Sequence, residues 1–273
     1  MADDSEDECL GLLFPAAPQK DEAAGLAIKY DEYMRQGGET LTLALVKKHH
    51  SLWAEFIYNA ARILADRIDA GLIDCRGKHC LELGAGAGLP GLMAALNGAN
   101  ISVITDYGTP HDHDLVDVIH KNIAALADQM PQGTRVEGMG FIFGNTVEPL
   151  LALAGGRRFD RVLMADLVFN RSEHAKLLSS LRACLAPGGE GWVAFSHHDP
   201  GKTALDLAFF DLARNMGFCV LRVGEEVRES YPFVQKDGLD GKRGVVNIYL
   251  LTLVGTAEDG GEVGDGERKG EDA

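Results

Sequence analysis

Two carboxylates, Glu82 and Asp106, each stand at the end of a short apolar run, where a buried strand would deliver them to one edge of a sheet. Glu82 is followed by Gly84, Gly86 and Gly88, and then by Leu89-Pro90-Gly91. Glycines there remove Cβ atoms, so the chain can turn sharply and a ligand can lie against bare peptide. The N–H groups opening a following helix would point at that ligand. Strand, acid, glycine turn and helix start together suit a cofactor that carries a nucleoside. Asp106 closes Ile101-Ser102-Val103-Ile104-Thr105-Asp106. An ionised carboxylate there can accept from both hydroxyls of a ribose.

Two cofactor classes fit such a turn. Gly86-x-Gly88-x-x-Gly91 formally matches the dinucleotide fingerprint, with an acid about 20 residues on. The register argues against it. The apolar strand ends near Leu83, so the first turn glycine is Gly84, and the third fingerprint position then falls on Leu89. A pyrophosphate would also sit poorly beside Glu82. S-adenosylmethionine carries a sulfonium and an ammonium instead, and a nearby acid favours both. Asp106 serves either cofactor and does not discriminate alone.

The elements that must position these residues alternate β and α. Strands are expected at about 78–83, 101–107, 135–143, 160–166, 191–196, 219–228 and 245–254. Helices are expected at about 51–69, 88–97, 113–129, 172–185 and 203–216, with Ser172 capping the fourth and Pro187-Gly188-Gly189 ending it. Leu41–Val46 reads as part of a hairpin arm. The alternation gives a doubly wound, mostly parallel sheet. The last two strands have no helix between them and should pair as an antiparallel hairpin.

The chain has 273 residues and a net charge of −15. Residues 1–22 hold seven acids and one Lys, and residues 256–273 hold seven acids and two basic residues, so the acidity is concentrated in two tails. Both tails are expected to be disordered, flanking one α/β domain over 23–255 that includes an N-terminal arm and helix. So acidic a chain is a poor direct ligand for nucleic acid. Five cysteines without C-x-x-C spacing read as reduced thiols. With no secretory signal and no long apolar run, the expectation is a cytoplasmic, membrane-free protein. His111-Asp112-His113-Asp114 resembles a metal cluster, but adjacent residues at a helix start point apart, and no metal is expected. The pairs His49-His50 and His197-His198 are equally poor for one ion. His197 follows the fifth strand and could reach a substrate at the rim. Asn122 could cap structure within its helix or touch the cofactor.

Glu-x-Gly-x-Gly-x-Gly resembles motif I of the class I S-adenosylmethionine-dependent methyltransferases. His50-Ser51-Leu52-Trp53, Asp106-Tyr107, Lys121-Asn122-Ile123, Gly140-Phe141-Ile142-Phe143-Gly144 and Asp166-Leu167-Val168-Phe169-Asn170-Arg171-Ser172-Glu173-His174 resemble lysine methyltransferase family 16 over about residues 40–255. The resemblance implies the seven-stranded, Rossmann-like α/β fold of class I methyltransferases with an antiparallel last strand. It implies S-adenosylmethionine-dependent methylation of a protein amine, on the N-terminal amine or a nearby lysine of translation elongation factor 1A. A monomer is expected. The resemblance also implies roles. Trp53 lines the cofactor pocket, Glu82, Gly84, Ala85 and Gly86 hold the methionine half, and Asp106 holds the ribose beside Tyr107. Ala165 completes that pocket. Phe143 stands where the family often has Trp over the adenine, keeping the π-face and losing the indole N–H. Phe169 stands where a Tyr is common, so a hydroxyl contact to the substrate is lost unless Asn170 replaces it.

Methyl transfer from a sulfonium needs alignment and exclusion of water more than acid catalysis. A protonated amine could pair with Asp166, at the carboxyl end of the fourth strand, and shed its proton on the way in. Asp166 is therefore the candidate substrate-amine anchor, flanked by Phe169 and Asn170. Three other readings remain at this stage. They are a small-molecule N-methyltransferase with a nicotinamide-like acceptor, a non-catalytic adaptor, and a nicotinamide-dinucleotide oxidoreductase, the last disfavoured by register.

Overall fold

The computed structural model describes residues 26–47, 54–109, 112–228 and 244–255. Seven strands form one sheet in the order β5-β4-β3-β6-β7-β9-β8, and two more, β1 and β2, form a separate hairpin. The strands are β1 (Ile28–Met34), β2 (Thr40–Val46), β3 (His79–Leu83), β4 (Ile101–Asp106), β5 (Arg135–Gly140), β6 (Phe159–Ala165), β7 (Leu185–Ser196), β8 (Phe218–Val227) and β9 (Val245–Leu253). The helices are α1 (Asn59–Asp69), α2 (Leu89–Leu96), α3 (Asp114–Ala125), α4 (Glu148–Leu153), α5 (His174–Cys184) and α6 (Thr203–Asn215).

Alternate strand residues serve two apolar layers, as the period of two demands. Cys80, Ile104, Leu163, Trp192, Ala194 and Ile248 join α1 and α2 on one face. Leu81, Leu83, Val103, Val162, Met164, Phe195 and Leu251 join α5 and α6 on the other. The central strands are buried on both sides, which is why they read as near-continuous apolar runs. β9 pairs antiparallel with both β7 and β8, as the missing helix between the last two strands requires.

The topology locates a crevice. From β3 the chain steps outward to β4 and β5, then returns to place β6 on the other side of β3. Ligands in open α/β sheets bind at such a reversal, off the carboxyl ends of the strands. Glu82 lies within β3, Asp106 ends β4, and Asp166 follows β6.

Several expected boundaries are corrected. Residues 54–58 are not helical, and α1 starts at Asn59 after Tyr58, whose φ of −68° and ψ of 155° are extended. Its apolar spacing reflects lining of a cavity, not a helix face. β5 stops at Gly140, so Phe141 to Phe143 leave the sheet. Pro187-Gly188-Gly189 does not end a helix into a loop. It lies inside β7, where a register irregularity against β6 absorbs the extra residues between Leu185 and Glu190. Ser172 caps no helix; its Oγ bonds Asn170 Oδ1 at 3.1 Å, and α5 begins at His174 after a single 3₁₀ turn. Helix α4 is an addition, too short at six residues to show a full amphipathic period. The expected tails and the residues around Trp53 fall outside the described residues. Among the described residues no helix is long and apolar enough to cross a membrane.

Candidate active site

A cavity of about 430 Å³ opens at the reversal. Its walls bring together Gly84, Ala85, Gly86, Asp106, Tyr107, Phe143, Ala165, Asp166, Phe169 and Asn170, every described residue expected at the site except Glu82. Trp53 lies outside the described residues; Ala54, Phe56, Ile57 and Tyr58, which follow it, line the cavity. The volume is that of an ordinary small-molecule site.

Glu82 sits beneath the glycine turn. Its Oε2 accepts the Gly91 N–H at 2.7 Å, satisfying one of the donors that open α2. Gly91 is needed there for closeness, because a Cβ would lie 2.7 Å from Ile104 Cγ1 and 2.8 Å from Glu82 Oε2. The other oxygen, Oε1, is buried with no hydrogen-bond partner among the described residues. Burial pushes the Glu82 carboxyl well above the usual range; the Gly91 N–H opposes this and the charge of Asp106 adds to it. The turn above it is shaped by its first glycine. Gly84 has φ +63°, and a Cβ there would meet Leu167 Cδ2 at 2.5 Å.

Asp106 accepts the Gly86 N–H at 2.5 Å and the Tyr107 N–H at 2.6 Å. Its carboxylate is thus fixed at the mouth of the glycine turn. Phe141, Ile142 and Phe143 turn out of the sheet across from it, giving the cavity an apolar side.

Asp166 is the only described non-glycine residue with positive φ, at 58°. Its own N–H bonds Ala194 O at 2.7 Å, and its Oδ1 accepts the Ser196 N–H at 3.2 Å. Oδ2 lies 3.0 Å from His198 Nε2. A left-handed backbone in a non-glycine residue costs free energy and is held by surrounding structure. Here it turns the chain sharply off β6 so that Asp166, Leu167, Phe169 and Asn170 all face the cavity. Asp206, fully buried on α6, holds the far end of this loop by accepting from Arg171 Nε at 2.9 Å. His174 closes it from below, 2.7 Å from Val168 O, and burial holds its imidazole below the usual value.

Three residues depart from their sequence readings. His197 does not reach the rim, because its Nδ1 lies 2.7 Å from Asp206 Oδ2. Its neighbour His198, considered only as a metal ligand, is the one that meets Asp166. Asn122 does not line this cavity. Its amide bonds Ala44 N and O and Ala87 O, tying the β1–β2 hairpin to the glycine turn.

The family described as lysine methyltransferase matches residues 39–215. A protein from Schizosaccharomyces pombe named "Protein N-terminal and lysine N-methyltransferase efm7" is 35% identical over 223 residues, covering 80% of this chain and 84% of its own. The Candida glabrata protein named "Protein N-terminal and lysine N-methyltransferase EFM7" is 38% identical over 203 residues, covering 74% of this chain and 77% of its own. Among solved structures, a putative methyltransferase complexed with SAH aligns with a TM-score of 0.55 at 11% identity, over 87% of this chain and 58% of that one. A putative RNA methyltransferase from Pyrococcus horikoshii aligns with a TM-score of 0.52 at 20% identity, over 78% of this chain and 91% of that one. At such identities the last two speak for the fold alone.

Proposed function

The chain belongs to the lysine methyltransferase family, and we propose that it is a protein N-methyltransferase. Its acceptor is the N-terminal amine or a nearby lysine of translation elongation factor 1A, and it acts as a cytoplasmic monomer. The names of its relatives support a protein amine as acceptor.

The cofactor is S-adenosylmethionine, and the residues present fit it. Glu82 lies beneath the turn rather than in the cavity wall, so its buried carboxyl would favour a cationic group across the turn. Gly84 and Gly86 leave the backbone bare, and a carboxylate such as Asp106 at the mouth of the turn is suited to accept from a vicinal diol. Tyr107 and the Phe141–Phe143 segment offer flat apolar surface for a base. When bound, the cofactor supplies a methyl group already activated on a sulfonium.

The observation that carries the proposal is Asp166, a carboxylate 7% exposed in the wall of a cavity otherwise lined largely by apolar groups. An ammonium entering there gains an ion pair in a site of low dielectric, and the carboxylate is an acceptor for the proton it must lose. Phe169 limits where that amine can sit, and Asn170 offers a second polar contact. Rigid placement does most of the remaining work, since an aligned amine avoids much of the entropic cost of the encounter.

The test is transfer of isotopic label from S-adenosylmethionine in a lysate supplemented with unmethylated elongation factor 1A. Label in one protein band at the size of that factor supports the proposal. Label confined to small molecules overturns it in favour of a small-molecule acceptor.

A further inference from the structure

His198 joins the two acceptor-side residues of the cavity. Its Nε2 lies 3.0 Å from Asp166 Oδ2, and its ring stacks flat on Phe169 with centroids 4.5 Å apart and planes 9° apart. It also stacks with Tyr58, at 5.9 Å and 26°. Phe169 and Tyr58 both line the cavity. The side chain of Asp166 is 6% exposed and that of His198 20%, so His198 is the more accessible partner. The adjacent His197 is committed elsewhere, to Asp206. Asp166 is therefore clamped by the Ser196 N–H on one oxygen and by His198 on the other.

On the reading that Asp166 anchors the acceptor amine, we propose that His198 is a positioning residue that sets both the orientation and the effective charge of Asp166. A neutral imidazole donating from Nε2 orients the carboxylate and leaves its negative charge available to an incoming ammonium. A second proton, on Nδ1, turns His198 into an imidazolium paired with Asp166, and that pair competes with the acceptor. Among the described residues, the titratable groups against His198 include Asp166, from the end of β6, and Tyr58, from the segment before α1. The stack on Phe169 fixes the aromatic wall at the same time. Acceptor KM should therefore rise on acidification, while cofactor affinity does not follow it.

Two variants of the full chain separate donor from stack. His198→Gln keeps an N–H donor and cannot titrate near neutrality. His198→Phe keeps a ring for stacking and loses the donor. Kinetics on the protein acceptor between about pH 6 and about pH 9 are read beside cofactor affinity by calorimetry. The expected result is His198→Phe slowed about tenfold or more at alkaline pH with cofactor affinity unchanged within about twofold. His198→Gln should retain most turnover and lose the acid rise in acceptor KM. Wild-type values of kcat and KM in His198→Phe overturn the proposal. So does a His198→Gln pH profile parallel to wild type, or loss of cofactor binding in step with turnover, which would mark a merely structural role. A wild-type chain that methylates no protein amine overturns the functional reading itself, which separates that failure from failure of His198.

Discussion

Replacing Glu82 with Gln removes a charge and keeps the shape. In the folded chain Oε2 holds the Gly91 N–H at 2.7 Å and Oε1 is buried without a partner among the described residues, and burial raises the carboxyl well above its usual range. Because the folded value is raised, this group's contribution to stability is complete below the ordinary carboxyl range of about 4.3 and is lost as pH rises through the raised value. Gln is isosteric with the protonated acid. The ligand-free Glu82→Gln protein should match wild type in thermal stability at acid pH and exceed it increasingly as pH rises. Cofactor binding should move the other way. A cationic group across the turn favours the ionised carboxylate, so wild-type binding releases a proton and tightens with pH. Two unit charges about 6–10 Å apart at an effective dielectric of about 20 interact by about 1.7–2.8 kcal/mol, so Glu82→Gln should bind S-adenosylmethionine about 20- to 100-fold more weakly, with no proton release. Calorimetry in buffers of different ionisation enthalpy reads both quantities. Binding within about twofold of wild type would refute the reasoning, as would a stability difference that does not grow with pH.

Other substitutions probe other parts of the site. Asp166→Asn keeps the left-handed backbone accessible and the Ser196 contact possible but removes the charge; methylation of the protein acceptor should fall about 30-fold or more, with cofactor affinity unchanged, as kinetics and calorimetry would show. Gly84→Ala forces a Cβ into Leu167 at φ +63° and should cost about 1–3 kcal/mol in denaturant unfolding while weakening the cofactor. Asp206→Ala strands Arg171 and His197 around a fully buried position and should cost about 3 kcal/mol, loosening the loop that carries Phe169 and slowing turnover more than it weakens cofactor binding.

The placement of the glycine turn and Asp106 around one cavity was legible because its signals are local. Glu82, the glycine turn and the start of α2 lie within ten residues, and the buried strands β3, β4 and β6 are mostly apolar, interrupted by Ser102, Thr105, Asp160 and Arg161, and end in or beside the acids. Asp166 was legible from its place after such a run. His198 was not, because its partner is 32 residues away and the meeting depends on how the end of β7 packs beside β6. The expected start of the first helix at about 51 overran the irregular segment holding Phe56, Ile57 and Tyr58 for a related reason. Apolar residues facing a cavity from an irregular segment can repeat at the spacing of a helix face, and only the extended backbone at Tyr58 shows the difference. Asn122 shows the same limit, since an amide that bridges a hairpin and a glycine turn leaves no trace in spacing.

The most direct measurement is fragment mass spectrometry of unmethylated elongation factor 1A after incubation with the chain and S-adenosylmethionine, locating the transferred methyl. Asp166 as an amine anchor requires the added mass on a backbone α-amine or a lysine Nζ. A methyl found on a carboxylate, an arginine or a hydroxyl, or an unmodified factor beside a methylated small molecule, would contradict it.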